Sequence, residues 1–334
     1  MAVLPNGARV LLVRLSALGD VIFALETLAS LKHERPDVRA DFLVEDRCAG
    51  LLYGHPQIER VLAFPRHRKL AIPGAVRALR AVRYDAVLDL HGILKSAWQV
   101  RLARAERRIG YAAPGSREGA QLCYGERVVL PDPLPHRAEM GYHLLRALGL
   151  HGAPARPVLP APGAAPRFWG ERRGGRIVLH PGASAFAAFK RWPVARFASV
   201  ARRLVAQGHE VAVSHGPGEA ELCAAVRAEA PQARALDGGA LGLAGLAAVY
   251  READLMIAAD TGPLHLAAAA GTRVIALFGP KDPARYGPRG AGHRALYHEV
   301  PCRPCRLRWC PAPLCVLGIQ VEEVMTAIGE ALAR

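Results

Sequence analysis

No stretch of this 334-residue chain approaches the roughly 20 consecutive apolar residues that a helix needs to cross a bilayer, so a helical membrane span is not expected. The opening segment MAVLPNGARVLLVRLSALGD has a short apolar strand pattern and no small-residue cleavage site, which points away from a signal peptide and towards a cytoplasmic protein. Cysteine is scarce outside one cluster. The total of seven is odd, and Cys48, Cys123 and Cys223 are scattered, which argues against a disulfide framework. Acid is in deficit, with 29 Asp+Glu against 44 Lys+Arg and a net charge of +15. That balance suits phosphate-rich partners or an anionic membrane surface. It equally suits a generic arginine-rich surface in a chain biased to Ala, Gly, Pro and Arg. Basic patches interleaved with aromatics are missing, as are known nucleic-acid motifs, so a DNA- or RNA-binding module is the least favoured class. No internal repeat is evident.

Apolar residues make up 51% of the chain, and the length allows two domains of ordinary size. Strand and helix patterns alternate in the first half. Strands are expected at Val10–Leu15, Ala40–Val44, Val61–Phe64 and Ala86–Asp89, with helices at Val21–Lys32, Ala49–Tyr53, Pro73–Val82 and Leu94–Ala103. The Pro/Gly/Ala-rich stretch Ala153–Gly163 reads as a linker. Alternation then restarts with strands at Ile177–His180, Glu210–Ser214, Leu255–Ala259 and Val274–Phe278. Helices are expected at Pro193–Gln207, Gly218–Ala228, Leu243–Glu252, Leu264–Ala270 and Val321–Ala333. The pattern is α/β: two Rossmann-like domains with ligands at the carboxyl edges of parallel sheets.

Three segments carry chemistry. In Asp260-Thr261-Gly262-Pro263-Leu264-His265 a buried strand ends in an acid and turns into a helix. Pro263 suits the first helical position, and the free N–H groups and positive dipole end form a phosphate site. His265 is either a packed histidine or a phosphate donor. In Arg14-Leu15-Ser16-Ala17-Leu18-Gly19-Asp20, Ser16 and Gly19 allow a tight strand-to-helix turn. By spacing alone, Asp20 reads first as a cap or first-turn acid and second as a general base. In His180-Pro181-Gly182-Ala183-Ser184 followed by Phe189-Lys190-Arg191-Trp192-Pro193, two cations lie on a loop where they can neutralise a diphosphate; Trp192 reads as core.

Together SALGD, HPGAS…KRWP and ADTGPLHLAAAAGTRVIALFGPKDP resemble the ADP-heptose lipopolysaccharide heptosyltransferases, glycosyltransferase family 9. The segment Asp89-Leu90-His91-Gly92-Ile93-Leu94-Lys95-Ser96-Ala97 resembles the first heptosyltransferase subtype, with His91 in a place where Gln is frequent, whereas KRWP points to the second. The resemblance implies the GT-B architecture, two Rossmann-like domains facing across a cleft. An acceptor domain would span 1–160 and a donor domain 174–317, and a C-terminal helix at 318–334 would return to the first domain.

It further implies inverting, metal-independent transfer of heptose from ADP-L-glycero-D-manno-heptose to Kdo-lipid A or heptosyl-Kdo-lipid A. A GT-B glycosyltransferase or epimerase using another nucleotide-sugar is the alternative. Asp20 would be the base and Lys190 would stabilise the departing diphosphate. Ser184, Lys190, Arg191, Glu219, Leu241, Asp260, Thr261, Gly262, Pro263, Leu264 and His265 would hold the donor. Ser16, Gly19, Arg66, Arg68, Lys69, Lys95, Arg117 and His136 would meet the anionic acceptor, and Met140 stands where another cation is expected. The enzyme would touch the cytoplasmic face of the inner membrane without binding nucleic acid. No cofactor is required for catalysis. Cys302, Cys305, Cys310 and Cys315 fall within fourteen residues and fit either a structural tetrathiolate zinc site or plain loop cysteines.

Overall fold

The computed structural model describes residues 4–161, 167–183, 185–305, 307 and 309–333. It divides into two compact units, the first ending at Ala161. In the first, strands β1 (Arg9–Val13), β2 (Arg39–Glu45), β3 (Arg60–Phe64), β4 (Arg83–Asp89), β5 (Arg104–Tyr111) and β6 (Glu126–Val128) form one sheet in the order β3-β2-β1-β4-β5-β6. In the second, β7 (Arg176–His180), β8 (Glu210–His215), β9 (Arg234–Asp237), β10 (Leu255–Ala259), β11 (Arg273–Phe278) and β12 (Arg294–Tyr297) take the order β12-β11-β10-β7-β8-β9. Every pairing is parallel. Numbered within its own unit, the second order repeats the first. Each sheet reverses direction between its first and fourth strands, where doubly wound sheets open a ligand crevice at the carboxyl ends. There β1 lies beside β4, with Val13 opposite Asp89, and β7 beside β10, with His180 opposite Ala258.

The central strands are continuous apolar runs because both faces are covered. Leu11, Val13, Leu43 and Val87 share a core with Leu79 of helix Ile72–Arg80 and with Ala97 and Val100 of helix Leu94–Leu102. In the second unit Ile177, Leu179, Ile257 and Ile275 pack with Phe197, Val200 and Leu204 of helix Val194–Ala206. Those three helical side chains lie on one face, and each contributes about 1.5–3 kcal/mol by burial. Trp192 is fully buried in this core, and its indole N–H donates to Ile319 O at 2.9 Å.

The structure differs from the sequence reading in several elements, among them the helix expected at Ala49–Tyr53, which instead spans Asp46–Ala49. Strands β5, β6, β9 and β12 and helix Glu139–Ala147 were not anticipated. Helix Gly262–Ala270 begins two residues before the expected Leu264, so Pro263 is its second residue, with Thr261 as N-cap. The C-terminal helix Val321–Leu332 buries Val324, Ala327 and Ile328 in the second unit's core beside helix Val194–Ala206 and β11.

Candidate active site

In the first unit the charged groups gather where β1 and β4 end. Backbone bonds Arg14 N to Leu43 O and Leu90 N to Val13 O carry the sheet one residue past each strand. Arg14 is buried beneath the turn. Its Nε donates to Ser16 O at 3.0 Å and its Nη1 to Leu90 O at 2.6 Å, while Nη2 lies 2.6 Å from Asp20 Oδ2. Asp20 is in the first turn of helix Leu18–Glu34, whose N-cap is Ala17; no side chain caps it. Arg137 Nε donates to the other Asp20 oxygen at 3.0 Å. Burial alone would raise the carboxyl's proton affinity, but Arg14 and then Arg137 reverse that and hold Asp20 well below the usual carboxylate range. Burial lowers Arg14 to about 10, which leaves it charged at neutral pH. Phe23, Leu90, Tyr111 and Gly141 help to line the small pocket beside this ion triad.

The following loop is fixed from below. Asp89, fully buried, accepts from His91 N at 2.9 Å, Gly92 N at 3.2 Å, Ser96 Oγ at 2.8 Å and Tyr124 OH at 2.7 Å. Tyr124 reaches it across Gly110 of β5, where a Cβ would stand 2.3 Å from the ring. His91, one residue beyond Leu90, is pushed down to about 2 by burial and then by the Arg14 charge, so its ring is neutral. Its Nδ1 is buried with no partner among the described residues.

The second unit builds its set on β7 and β10. Lys190 Nζ donates to Asp260 Oδ2 at 3.2 Å, and His265 Nε2 lies 3.5 Å from Asp260 Oδ1. Burial opposes ionisation of Asp260, but the His265 hydrogen bond and the Lys190 charge prevail and lower its pKa. Thr261 Oγ1 turns back to Ala259 O at 3.1 Å and does not cap the helix. Pro263 has no N–H, so among the described residues the N–H groups of Gly262 and Leu264 are left without protein acceptors at a positive helix end. Glu219 Oε2 accepts from Gly216 N at 2.9 Å and lies 3.8 Å from His180 Nε2; a Cβ on Gly182 would stand 2.3 Å from it. Burial lowers the pKa of His180, whose Nδ1 lies 3.0 Å from Ser214 Oγ.

Several expected donor residues need restating. Arg191 donates to Ala183 O through Nε at 3.2 Å and Nη2 at 2.6 Å, so it braces the loop. The Leu264 side chain is fully buried, leaving only its backbone N–H for a ligand. Leu241 is half-buried in the first turn of helix Gly238–Arg251, before a kink at Gly242. Ser184 lies outside the described residues.

Among the acceptor candidates, Lys95 Nζ binds Glu45 Oε1 at 2.7 Å, and Arg66 lies 3.6 Å from the other oxygen, which also takes Arg47 Nε at 2.8 Å. One buried carboxylate thus partly neutralises this basic cluster. Arg68 lies 3.6 Å from Asp46, while Arg117 is exposed. Ser16 and Gly19 are half-buried in the turn beside Asp20, and His136 packs edge-on against Phe23. The Lys69 side chain lies outside the described residues. Met140 is buried, and the charge expected near it comes from Arg137, whose Nη1 lies 3.2 Å from Met140 Sδ. Arg137 and Glu45 were absent from the sequence-derived site. Arg14 stood two residues before SALGD without a role; a cation directly after a buried strand was the available signal. Of the two readings of the cysteine cluster, the zinc site finds no support. Among the described residues no three His, Cys, Asp or Glu groups converge where a metal could sit, so the tetrathiolate does not assemble, and all seven cysteines are free thiols.

Two parallel α/β units of one strand order, each with charged groups at its switch point, place the chain among the two-Rossmann α/β proteins. The family model "Glycosyltransferase family 9 (heptosyltransferase)" matches residues 74–315, and the chain belongs to that family. Lipopolysaccharide heptosyltransferase 1 of Pseudomonas aeruginosa is 31% identical over 90% of this chain and 87% of its own length. Lipopolysaccharide heptosyltransferase 3 of Escherichia coli is 26% identical over 87% and 90%. Among solved structures, the E. coli heptosyltransferase WaaC with ADP aligns at TM-score 0.80 and 24% identity, covering 97% of this chain and 99% of that one. E. coli ADP-heptose lps heptosyltransferase II aligns at TM-score 0.77 and 20% identity, covering 97% and 98%. The fold is α/β of the GT-B class, and the protein is a glycosyltransferase.

Proposed function

We propose that this enzyme transfers heptose, with inversion and without a metal, from ADP-L-glycero-D-manno-heptose to the inner core of lipopolysaccharide, on Kdo-lipid A or heptosyl-Kdo-lipid A. The observation that carries the reading is the pair of free N–H groups at Gly262 and Leu264 beside the Lys190–Asp260–His265 chain, an arrangement suited to a diphosphate. Family membership and the WaaC complex "with ADP-2-deoxy-2-fluoro heptose" support the donor assignment. In the reaction an acceptor hydroxyl oxygen attacks the anomeric carbon as the bond to the β-phosphate oxygen breaks. Asp20 takes the hydroxyl proton. Arg14 and Arg137 hold its carboxylate oriented and ionised at working pH. Lys190 and the Gly262–Ala270 helix end stabilise the charge gathering on ADP. Fixed cations and N–H groups thus do the work a divalent ion would otherwise do. In this reading Arg66, Arg68, Lys69, Lys95, Arg117 and His136 attract an anionic, lipid-linked acceptor, and the enzyme works at the cytoplasmic face of the inner membrane.

The test is incubation with ADP-heptose and Kdo-lipid A, with product mass as the readout. A heptose increment that survives EDTA is expected. Turnover of UDP- or GDP-sugars in its place would overturn the donor assignment, and loss of turnover in EDTA would overturn metal independence.

A further inference from the structure

The helix Leu94–Leu102 turns an unusual face outward. Ser96, Ala97, Gln99 and Val100 are buried, while Leu94, Lys95, Trp98 and Arg101 are exposed. The outward stripe of a surface helix is ordinarily polar. Here Leu94 and Trp98, four residues apart and so on one side, are 45% and 59% exposed. The turn Ala120–Cys123 packs on this helix and adds Leu122 at 77% exposure. Arg101 and Arg117 are exposed, with no side-chain partner among the described residues. The acid at this end, Glu118, is half-engaged: its Oε2 accepts from Leu94 N at 3.3 Å. The surface therefore combines clustered apolar bulk, a tryptophan and unpaired guanidinium groups.

We propose that the face made by Leu94, Trp98 and Leu122, with Arg101 and Arg117 beside it, docks the first unit on an anionic lipid bilayer. Charge complementarity selects this occupant. Unpaired arginines gain from the negative surface potential of anionic lipid, and tryptophan favours the headgroup region with its ring towards the acyl boundary. Position agrees with it. The helix starts directly after the Asp89–His91 loop beside the Asp20 triad, so docking there brings the candidate acceptor side of this unit to the surface holding a lipid-linked sugar. The purpose assigned to the face rests on the acceptor reading above; the binding itself does not.

The full chain is tested by flotation with phosphatidylcholine vesicles and with mixed phosphatidylglycerol–phosphatidylcholine vesicles. Binding to the mixed vesicles alone, weakening with salt, is expected. Trp98→Ser with Leu122→Ser should weaken it about tenfold or more, and Arg101→Gln about fivefold. The same variants should turn over a deacylated, water-soluble acceptor at the wild-type rate, which shows the fold and site intact. Equal flotation of wild type and variants would overturn the proposal. So would wild type that ignores anionic vesicles, or a face that instead forms a dimer lost in the variants by sedimentation. Failure of wild type to use the soluble acceptor would sink the heptosyl reading and leave the vesicle result standing.

Discussion

Asp20→Asn separates stability from chemistry in this protein. The substitution keeps the shape and removes the charge between Arg14 and Arg137. Arg14 is 2% exposed and remains charged at neutral pH, so it is left with carbonyl partners only. Breaking a buried pair typically costs 3–5 kcal/mol. Asp20 is 27% exposed, and Asn still accepts one hydrogen bond, so about 2–3 kcal/mol is expected here. For a unit of this size that lowers the unfolding midpoint by about 5–10 °C. Turnover should fall about 10²–10⁴-fold while ADP affinity holds. The pH dependence has a definite sign. The folded pKa of Asp20 is depressed, so its contribution is complete above the unfolded value near 4 and is lost as pH falls below it. The gap between wild type and variant should therefore narrow below about pH 4. Adding Arg14→Leu to Asp20→Asn removes the orphaned cation and should restore stability without activity. A single variant that melts with wild type, or a double variant no more stable than the single, would refute the burial argument; retained turnover would show that Asp20 is not the base.

Three further outcomes follow from the geometry. Lys190→Ala removes the cation on Asp260 and should raise the donor KM and lower kcat, each by about tenfold or more, in steady-state assays; unchanged kinetics would take Lys190 out of the site. Gly182→Ala drives a methyl into the Glu219 carboxylate, breaking its bond to Gly216, and should weaken ADP binding severalfold by calorimetry with little change in melting, because the clash is with a side-chain end. His91, pushed to about 2, should show no imidazole titration by NMR between pH 5 and 8, and a midpoint near 6.5 would mean that the ring is open to water.

The sequence displayed the middle of each sheet and concealed its margins, the edge strand β3 excepted. Strands β1, β4, β7 and β10 are apolar runs with little to mistake. The outer strands read RAERRIGY, ERV, RALD and RALY; their charged or exposed positions face solvent, so no run or clean alternation marks them. The same division holds in the site. Asp20, Lys190, Asp260 and His265 sit in short motifs at strand ends and were legible there. Arg137 meets Asp20 across 117 residues, and Glu45 draws Arg66 and Lys95 from separate elements, so neither pairing leaves a local trace. The cysteine spacing suggested a zinc knuckle, but spacing does not fix where side chains point, and these thiols do not converge.

Gly110 shows how a margin can govern a centre. It belongs to a strand that is charged for much of its length, yet the phenol ring lying over it carries the hydroxyl that anchors Asp89. A single added methyl there would tilt that ring, loosen the anchor and let the segment bearing His91 drift. Tolerance to substitution along this strand will not follow side-chain size: the large, exposed Arg104 can change with little effect, while Gly110, the smallest residue in the strand, fixes the loop that carries His91.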